Sequence, residues 1–195
     1  MNPFMKTLIL FFLLLPFSLF GSWLSFRGDA GNGSIPDKLS PKIGTTGTTS
    51  WRIDLPGRGL SSPIVVGNLV FVTASSGPKE ETLHIMAFEV NKGKKAWERK
   101  FKATGRTVCH EKTCVAAPTM ASDGKLVVAQ FSSNDVFCLD LNGNLKWLRG
   151  LTYDYPNAAN GLGMSSSPVI AGEVVIAQVE NDAESFTAGL SLANG

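Results

Sequence analysis

Three stretches of this chain write one pattern: "SSPIVVGNLVFVTASS" from Ser61, "AAPTMASDGKLVVAQFSS" from Ala116, and "SSSPVIAGEVVIAQVEN" from Ser165. In each, a proline follows a small residue (Pro63, Pro118, Pro168) and opens an apolar run that ends in a turn, at Gly67, at Asp123 and Gly124, or at Gly172. A second apolar run follows, rich in the β-branched residues that suit a pleated, packed surface, so each phrase reads as a β-hairpin. A third run comes next, "LHIMAFEV", "DVFCLDL" and "SFTAGLSL", and leads to a glycine turn at Gly93, Gly143 and Gly195. Trp97 and Trp147 stand at one fixed step past the first two glycines.

The period is about 50 residues, and four short antiparallel strands with a glycine turn and a fixed tryptophan are one blade of a β-propeller. The expected fold is therefore all-β, a β-propeller of four-stranded antiparallel blades. A β-sandwich also spaces its strands regularly, but it does not require proline, glycine and tryptophan to keep a common phase. The same step taken from Gly195 would place the next tryptophan beyond the last residue. A closed ring of six to eight blades needs roughly 300 to 400 residues. The chain is thus expected to hold about three blades of an incomplete ring, as an N-terminal fragment or truncated product of a longer propeller. Its last blade would offer an unpaired edge, and missing blades or another chain would be needed to close the ring.

With 195 residues, 44% hydrophobic content and a net charge of +2, the chain can bury one globular domain. The most basic stretch, "NKGKKAWERKFK", alternates charge with turn and apolar residues as a solvated strand pair does, so nucleic acid is not an expected partner. "MNPFMK" and the apolar run from Thr7 to Phe20 read as a secretory signal peptide, with cleavage near Gly21 or Ser22. A spanning helix needs about 20 apolar residues and Pro16 interrupts this run, so no transmembrane anchor is expected. No cysteine lies near the cleavage point, so no lipid anchor is expected. The division that follows is a signal peptide at 1–22, an N-terminal segment at 23–56 and blades from 57 to 195, in a periplasmic or extracellular protein.

Export bears on the cysteines. Cys109 and Cys114 bracket "HEKT" and can close a small disulfide loop, leaving Cys138 unpaired. A metal site from Cys109, His110 and Cys114 is the competing reading, but it offers three ligands and no fourth. "CHEKTC" lacks the C-x-x-C-H spacing of covalent haem.

"AFEVNKGKKAW" (Ala87 to Trp97) resembles the A-x-D-x-x-T-G-x-x-x-W motif of the pyrroloquinoline-quinone-type propeller repeat, found in quinoprotein alcohol dehydrogenases and in related non-enzymatic propellers. Ala87, Gly93 and Trp97 match; Glu89 and Lys92 replace the usual Asp and Thr. "CLDLNGNLKW" is one residue shorter in the turn and keeps Asp140, Gly143 and Trp147. "GLSLANG" has Gly189 and Ser191 at the first and acidic positions. The resemblance implies that each Trp stacks on the small residue and glycine peptide of an adjacent blade. It also implies that "WLSFRGDAGNG" belongs to the 23–56 segment that pairs with a closing blade.

The connections between blades are long, and long irregular connections often carry function. They supply Arg106, His110, Lys112, Tyr153, Asp154, Tyr155, Asn157 and Asn160 as candidate binding residues, with rim decoration as the bland alternative. "VENDAES" offers Glu180, Asn181, Asp182 and Glu184 as oxygen ligands for calcium, though acidic and Asn residues also favour turn geometry. His84, in an alternating strand, reads as packed or solvated. The expected function is an exported binding or scaffold module for a protein, polysaccharide or small ligand, non-catalytic and without a cofactor. The alternative is a segment of a quinone-dependent dehydrogenase oxidising alcohols or sugars, with pyrroloquinoline quinone and calcium; that family's enzymes often carry adjacent cysteines, and no two are adjacent here.

Overall fold

The protein is described by a computed structural model over residues 22–34, 49–158, 161–180, 182–183 and 185–195. The leader expected at 1–22, apart from its last residue, lies outside these residues, as do Asn160, Asn181 and Glu184.

Each repeat folds into its own antiparallel sheet with strands in chain order. The first sheet runs β1 (Ile64–Val66), β2 (Leu69–Ser76), β3 (Thr82–Glu89) and β4 (Lys95–Lys102). The second runs β5 (Ala121–Ser122), β6 (Leu126–Gln130), β7 (Asp135–Asp140) and β8 (Leu145–Gly150), followed by the short helix α1 (Leu151–Asp154). The third has β9 (Val169–Ala171), β10 (Val174–Val179) and β11 (Phe186–Ser191). Gly67, Asp123 with Gly124, and Gly172 sit in the first turn of each sheet, as their turn chemistry requires. A register shift falls just before the glycine turn in both complete sheets, at Ala87/Phe88 and at Cys138/Leu139.

The sheets stack face to face. Phe71, Leu83, Ile85 and Ala87 of the first pack with Val127, Ala129, Phe137 and Leu139 of the second. Residues of opposite parity on the second, Val128, Val136 and Cys138, pack with Val175, Ala177 and Val179 of the third. The second sheet is thus packed on both faces, and its middle strands β6 and β7 are buried without alternation.

A tryptophan seals each junction. The indole Nε1 of Trp97 donates to Leu141 O at 2.8 Å, and that of Trp147 to Leu192 O at 2.8 Å. Beneath the rings lie Gly143 and Gly195, at φ 82° and 75°. A Cβ on these glycines would stand 2.7 and 2.9 Å from the indoles, so both the backbone angle and the close approach demand glycine. Two residues on, Arg99 Nε donates to Gly143 O at 2.7 Å, and Arg149 donates to Gly195 O through Nη1. Trp51, ahead of the first sheet, docks on Gly93 likewise and donates to Val90 O at 2.7 Å. The residues around it take the place that the outer strand of a preceding blade would take. Trp23 lies elsewhere, bridged to Val65 of β1 by two 2.9 Å bonds, while Leu24 O accepts from Ser122 N at 2.8 Å. The first part of the 23–56 segment thus runs along β1 and β5 of the first two sheets, whose unpaired edges offer it hydrogen bonds.

Candidate functional site

The two long connections, 103–120 and 151–168, are gathered by the β6–β7 hairpin. Asp135, fully buried, accepts from Thr104 N at 3.0 Å, from Thr104 Oγ1 at 2.5 Å and from Ser133 Oγ at 2.6 Å. Asn134, at φ 65°, donates from Nδ2 to Ala158 O at 3.0 Å, and its own carbonyl accepts from Leu151 N at 3.0 Å. Ser132 N donates to Val115 O at 2.9 Å, and Ser132 Oγ accepts from Met164 N at 2.8 Å. One buried turn thereby fixes both loops. In sequence "SSND" is a plain turn signal, and nothing in it marks burial.

A second clamp reaches across from the first sheet. Glu80, at φ 54°, accepts from Arg58 at 2.8 Å, from Ser75 Oγ at 2.7 Å and from Val115 N at 2.8 Å, and Arg58 also donates to Glu111 O at 2.7 Å. Glu80→Ala should cost about 1–3 kcal/mol, the penalty for orphaning the Val115 amide, measured by urea titration. Beside this clamp a cleft of about 350 Å³ is lined by Arg58, Lys79, Glu80, Thr107, Val108 and Cys109. The bridge expected between Cys109 and Cys114 is not formed in the structure, where both are free thiols. Burial raises the pKa of each, and it pushes the Cys138 thiol up to about 11.

The loop candidates separate into two groups. His110 N donates to Leu162 O at 2.9 Å, and His110 Nδ1 accepts from Lys112 N at 3.1 Å, which ties one connection to the other. Around α1, Asp154 pairs with Arg149, the Tyr155 ring lies 4.4 Å from that of Phe186, and Tyr153 is 76% exposed. Arg106 and Asn157 are exposed, and no hydrogen bond or ring contact joins the two groups among the described residues. In the second repeat, Asp140 accepts from Asn142 N and Asn144 N and pairs with Lys146. Desolvation works to raise its pKa, but the bonds from Asn144 and Lys146 outweigh it and hold the carboxyl well below the usual range. In the acidic hairpin, Glu180 accepts from Ser166 Oγ and Asp182 from Gly161 N at 3.3 Å. No group of three potential metal ligands occurs among the described residues.

Two further constellations escape sequence reading. Ser76, His84 and Glu98, from three neighbouring strands, form a relay in which Ser76 Oγ lies 2.7 Å from His84 Nε2 and His84 Nδ1 lies 2.8 Å from Glu98 Oε1. The hydrogen bond from Lys95 lowers the Glu98 pKa. His84 is 2% exposed, and the three residues tie β2, β3 and β4 together across the sheet.

The other is a hydroxyl row. Ser62 N donates to Thr119 Oγ1 at 3.0 Å, and Thr119 N to Ser167 Oγ at 3.0 Å. Each residue flanks the repeat proline at the head of a sheet, so the three hydroxyls step from blade to blade. They line a cleft of about 360 Å³ with Lys112, Ser165 and Phe26.

Residues 36–189 match the family described as outer membrane protein assembly factor BamB. No curated protein matches the chain. Among solved structures it is similar to the quinohemoprotein alcohol dehydrogenase from Comamonas testosteroni, at 17% identity and TM-score 0.53 over 72% of this chain and 20% of that one. BamB from Moraxella catarrhalis gives 18% identity and TM-score 0.47 over 73% and 36% of the two chains. A europium-containing methanol dehydrogenase gives 15% and 0.47 over 67% and 22%. The chain thus spans 20–36% of the length of these structures. At 17% identity the first of these likenesses shows the fold alone, the stacked-sheet architecture of a β-propeller. With most of its length matched by one family, and with its Trp–Gly junctions repeated from sheet to sheet, the chain belongs to the BamB family of pyrroloquinoline-quinone-type β-propellers.

Proposed function

We propose that the chain is an exported, non-catalytic binding module whose ligand seat is the cleft at Lys112, and that it takes an acidic saccharide. The observation that carries this reading is the pairing of one cation with a row of hydroxyls. Lys112 makes no ion pair among the described residues; Ser167 uses its oxygen as an acceptor and so retains an O–H donor for a ligand, Ser62 and Ser165 line the same cleft, and the buried Thr119 holds Ser62 and Ser167 in line. Phe26, 53% exposed at the same cleft, offers a face for a sugar ring. An ammonium suits a carboxylate, and hydroxyl donors suit the neutral oxygens around it. Support for export comes from the leader-like sequence at 1–22. The family description names an assembly factor, which accords with a scaffold role.

Calorimetry with polygalacturonate, and with neutral dextran as control, tests the reading. Binding of the acidic polymer alone is expected, weakened about tenfold or more by Lys112→Ala through loss of a charge-assisted bond. Equal binding of both polymers, or of neither, would overturn it. Reduction of an electron-acceptor dye by the purified protein with pyrroloquinoline quinone, calcium and an alcohol would overturn the non-catalytic part.

A further inference from the structure

Three cysteines permit three pairings, and the fold leaves one. Cys138 is fully buried in β7, in the cluster between the second and third sheets. Cys109 and Cys114 both belong to the cluster between the first and second. Thr113 N donates to His110 O at 2.9 Å, closing a tight turn, so the two cysteines flank that turn at its feet. Each foot is held in place. On one side His110 N bonds to Leu162 O, and a Cβ on Gly163 would stand 2.8 Å from that of Cys109. On the other, Val115 bonds to Glu80 through its amide and to Ser132 through its carbonyl. Access differs: Cys109 is half-buried and lines the cleft beside Arg58 and Lys79, whereas Cys114 is 0% exposed.

We infer that Cys109 and Cys114 are a dithiol site that an exported copy of this chain oxidises to a disulfide, entered through Cys109, which locks the turn carrying Glu111 and Lys112. The oxidant is a carrier disulfide, oxidised glutathione or a thiol–disulfide oxidoreductase. Cys109, as thiolate, attacks one carrier sulfur; a mixed disulfide forms and one carrier thiol leaves. Cys114 then attacks the Cys109 sulfur and expels the second. The protein pair gives up two electrons and two protons, and the carrier's S–S bond becomes two thiols. The pinned feet hold the two cysteines at the ends of one short turn, which favours ring closure over a lasting mixed disulfide. This site does not depend on the saccharide reading, since thiol counts decide it with no ligand present.

The experiment incubates the reduced protein with oxidised glutathione, alkylates it in denaturant and weighs it. One alkylated cysteine, mapped to Cys138, and a peptide linking Cys109 to Cys114 are expected, with a mass about 2 Da below that of the reduced chain before alkylation. Cys114→Ser should trap glutathione on Cys109, and Cys138→Ser should still form the bridge. Three alkylated cysteines, a glutathione retained on wild-type Cys109, or a bridge that includes Cys138 would overturn the inference. The wild-type count is decisive even if a variant fails to fold.

Discussion

Trp97→Ala is expected to lower stability by about 3 kcal/mol, the low end of the range for deleting a large aromatic, because the ring is half-buried between the sheets. The ring does several things at once. It packs 5.8 Å from Phe71, lies over Gly143, carries the Arg99 guanidinium 5.8 Å from its centroid and donates to Leu141 O. Alanine leaves a void between two sheets and a carbonyl without its donor. Since a domain of this kind is stable by only about 5–15 kcal/mol, the loss should show as a large fall in the urea midpoint. Trp97→Phe, which keeps an aromatic ring and loses the hydrogen bond, should cost less. Gly143→Ala attacks the junction from the other side, because its Cβ would stand 2.7 Å from the ring and its backbone is left-handed. In the double variant the steric part of that cost disappears with the indole, so the two effects should be clearly non-additive. Additive losses, or a Trp97→Ala midpoint close to wild type, would show that the junction does not hold the sheets as described.

For Asp135→Ala the expected loss is about 3 kcal/mol, and it arises differently. The carboxylate is the common acceptor for the Thr104 amide, the Thr104 hydroxyl and the Ser133 hydroxyl, all in a buried turn. Removing it orphans the amide outright, at about 1–3 kcal/mol, while the hydroxyls can re-aim at some cost. Asp135→Asn keeps the shape, and its Oδ1 can still accept from the Thr104 amide while its –NH₂ donates to the re-aimed Thr104 hydroxyl, so it should recover most of the loss. Amide hydrogen exchange separates this effect from that of Trp97. Residues near Thr104 and Leu151 should exchange faster in Asp135→Ala while β2 and β3 stay protected, because the turn gathers loops and does not join the sheets. Uniform acceleration across all three sheets, or none at the loops, would refute the assignment of Asp135 as the loop hub.

The sheet pattern was legible in the chain because it is local. Strand alternation, turn glycines and the step from glycine to tryptophan recur in one phase, and each is set by backbone sterics and hydrogen bonding within a few residues. Burial was not legible. "LVVAQ" in β6 and "VVIAQ" in β10 are nearly the same phrase, yet β6 is covered on both faces, while Val174 and Ile176 of β10 are 41% and 39% exposed. The difference lies in what stacks against each strand, and the strand's own residues do not encode that. Polar groups follow the same rule. Asp135 and Glu80 read as turn residues, and His84 as a strand residue, until sheets and loops distant in sequence close over them. At the candidate site the exposed loop residues drew notice, whereas Ser62, Thr119 and Ser167 did not, since each is an ordinary hydroxyl beside a proline. Only the stacking of successive blades sets those three in a row beside Lys112. The sequence by itself determined the repeat, its turns and its Trp–Gly pairing, because short-range geometry suffices for them. Which faces are dry, which polar groups are buried and which hydroxyls converge was decided by tertiary structure, because desolvation and hydrogen bonding there depend on neighbours far apart along the chain.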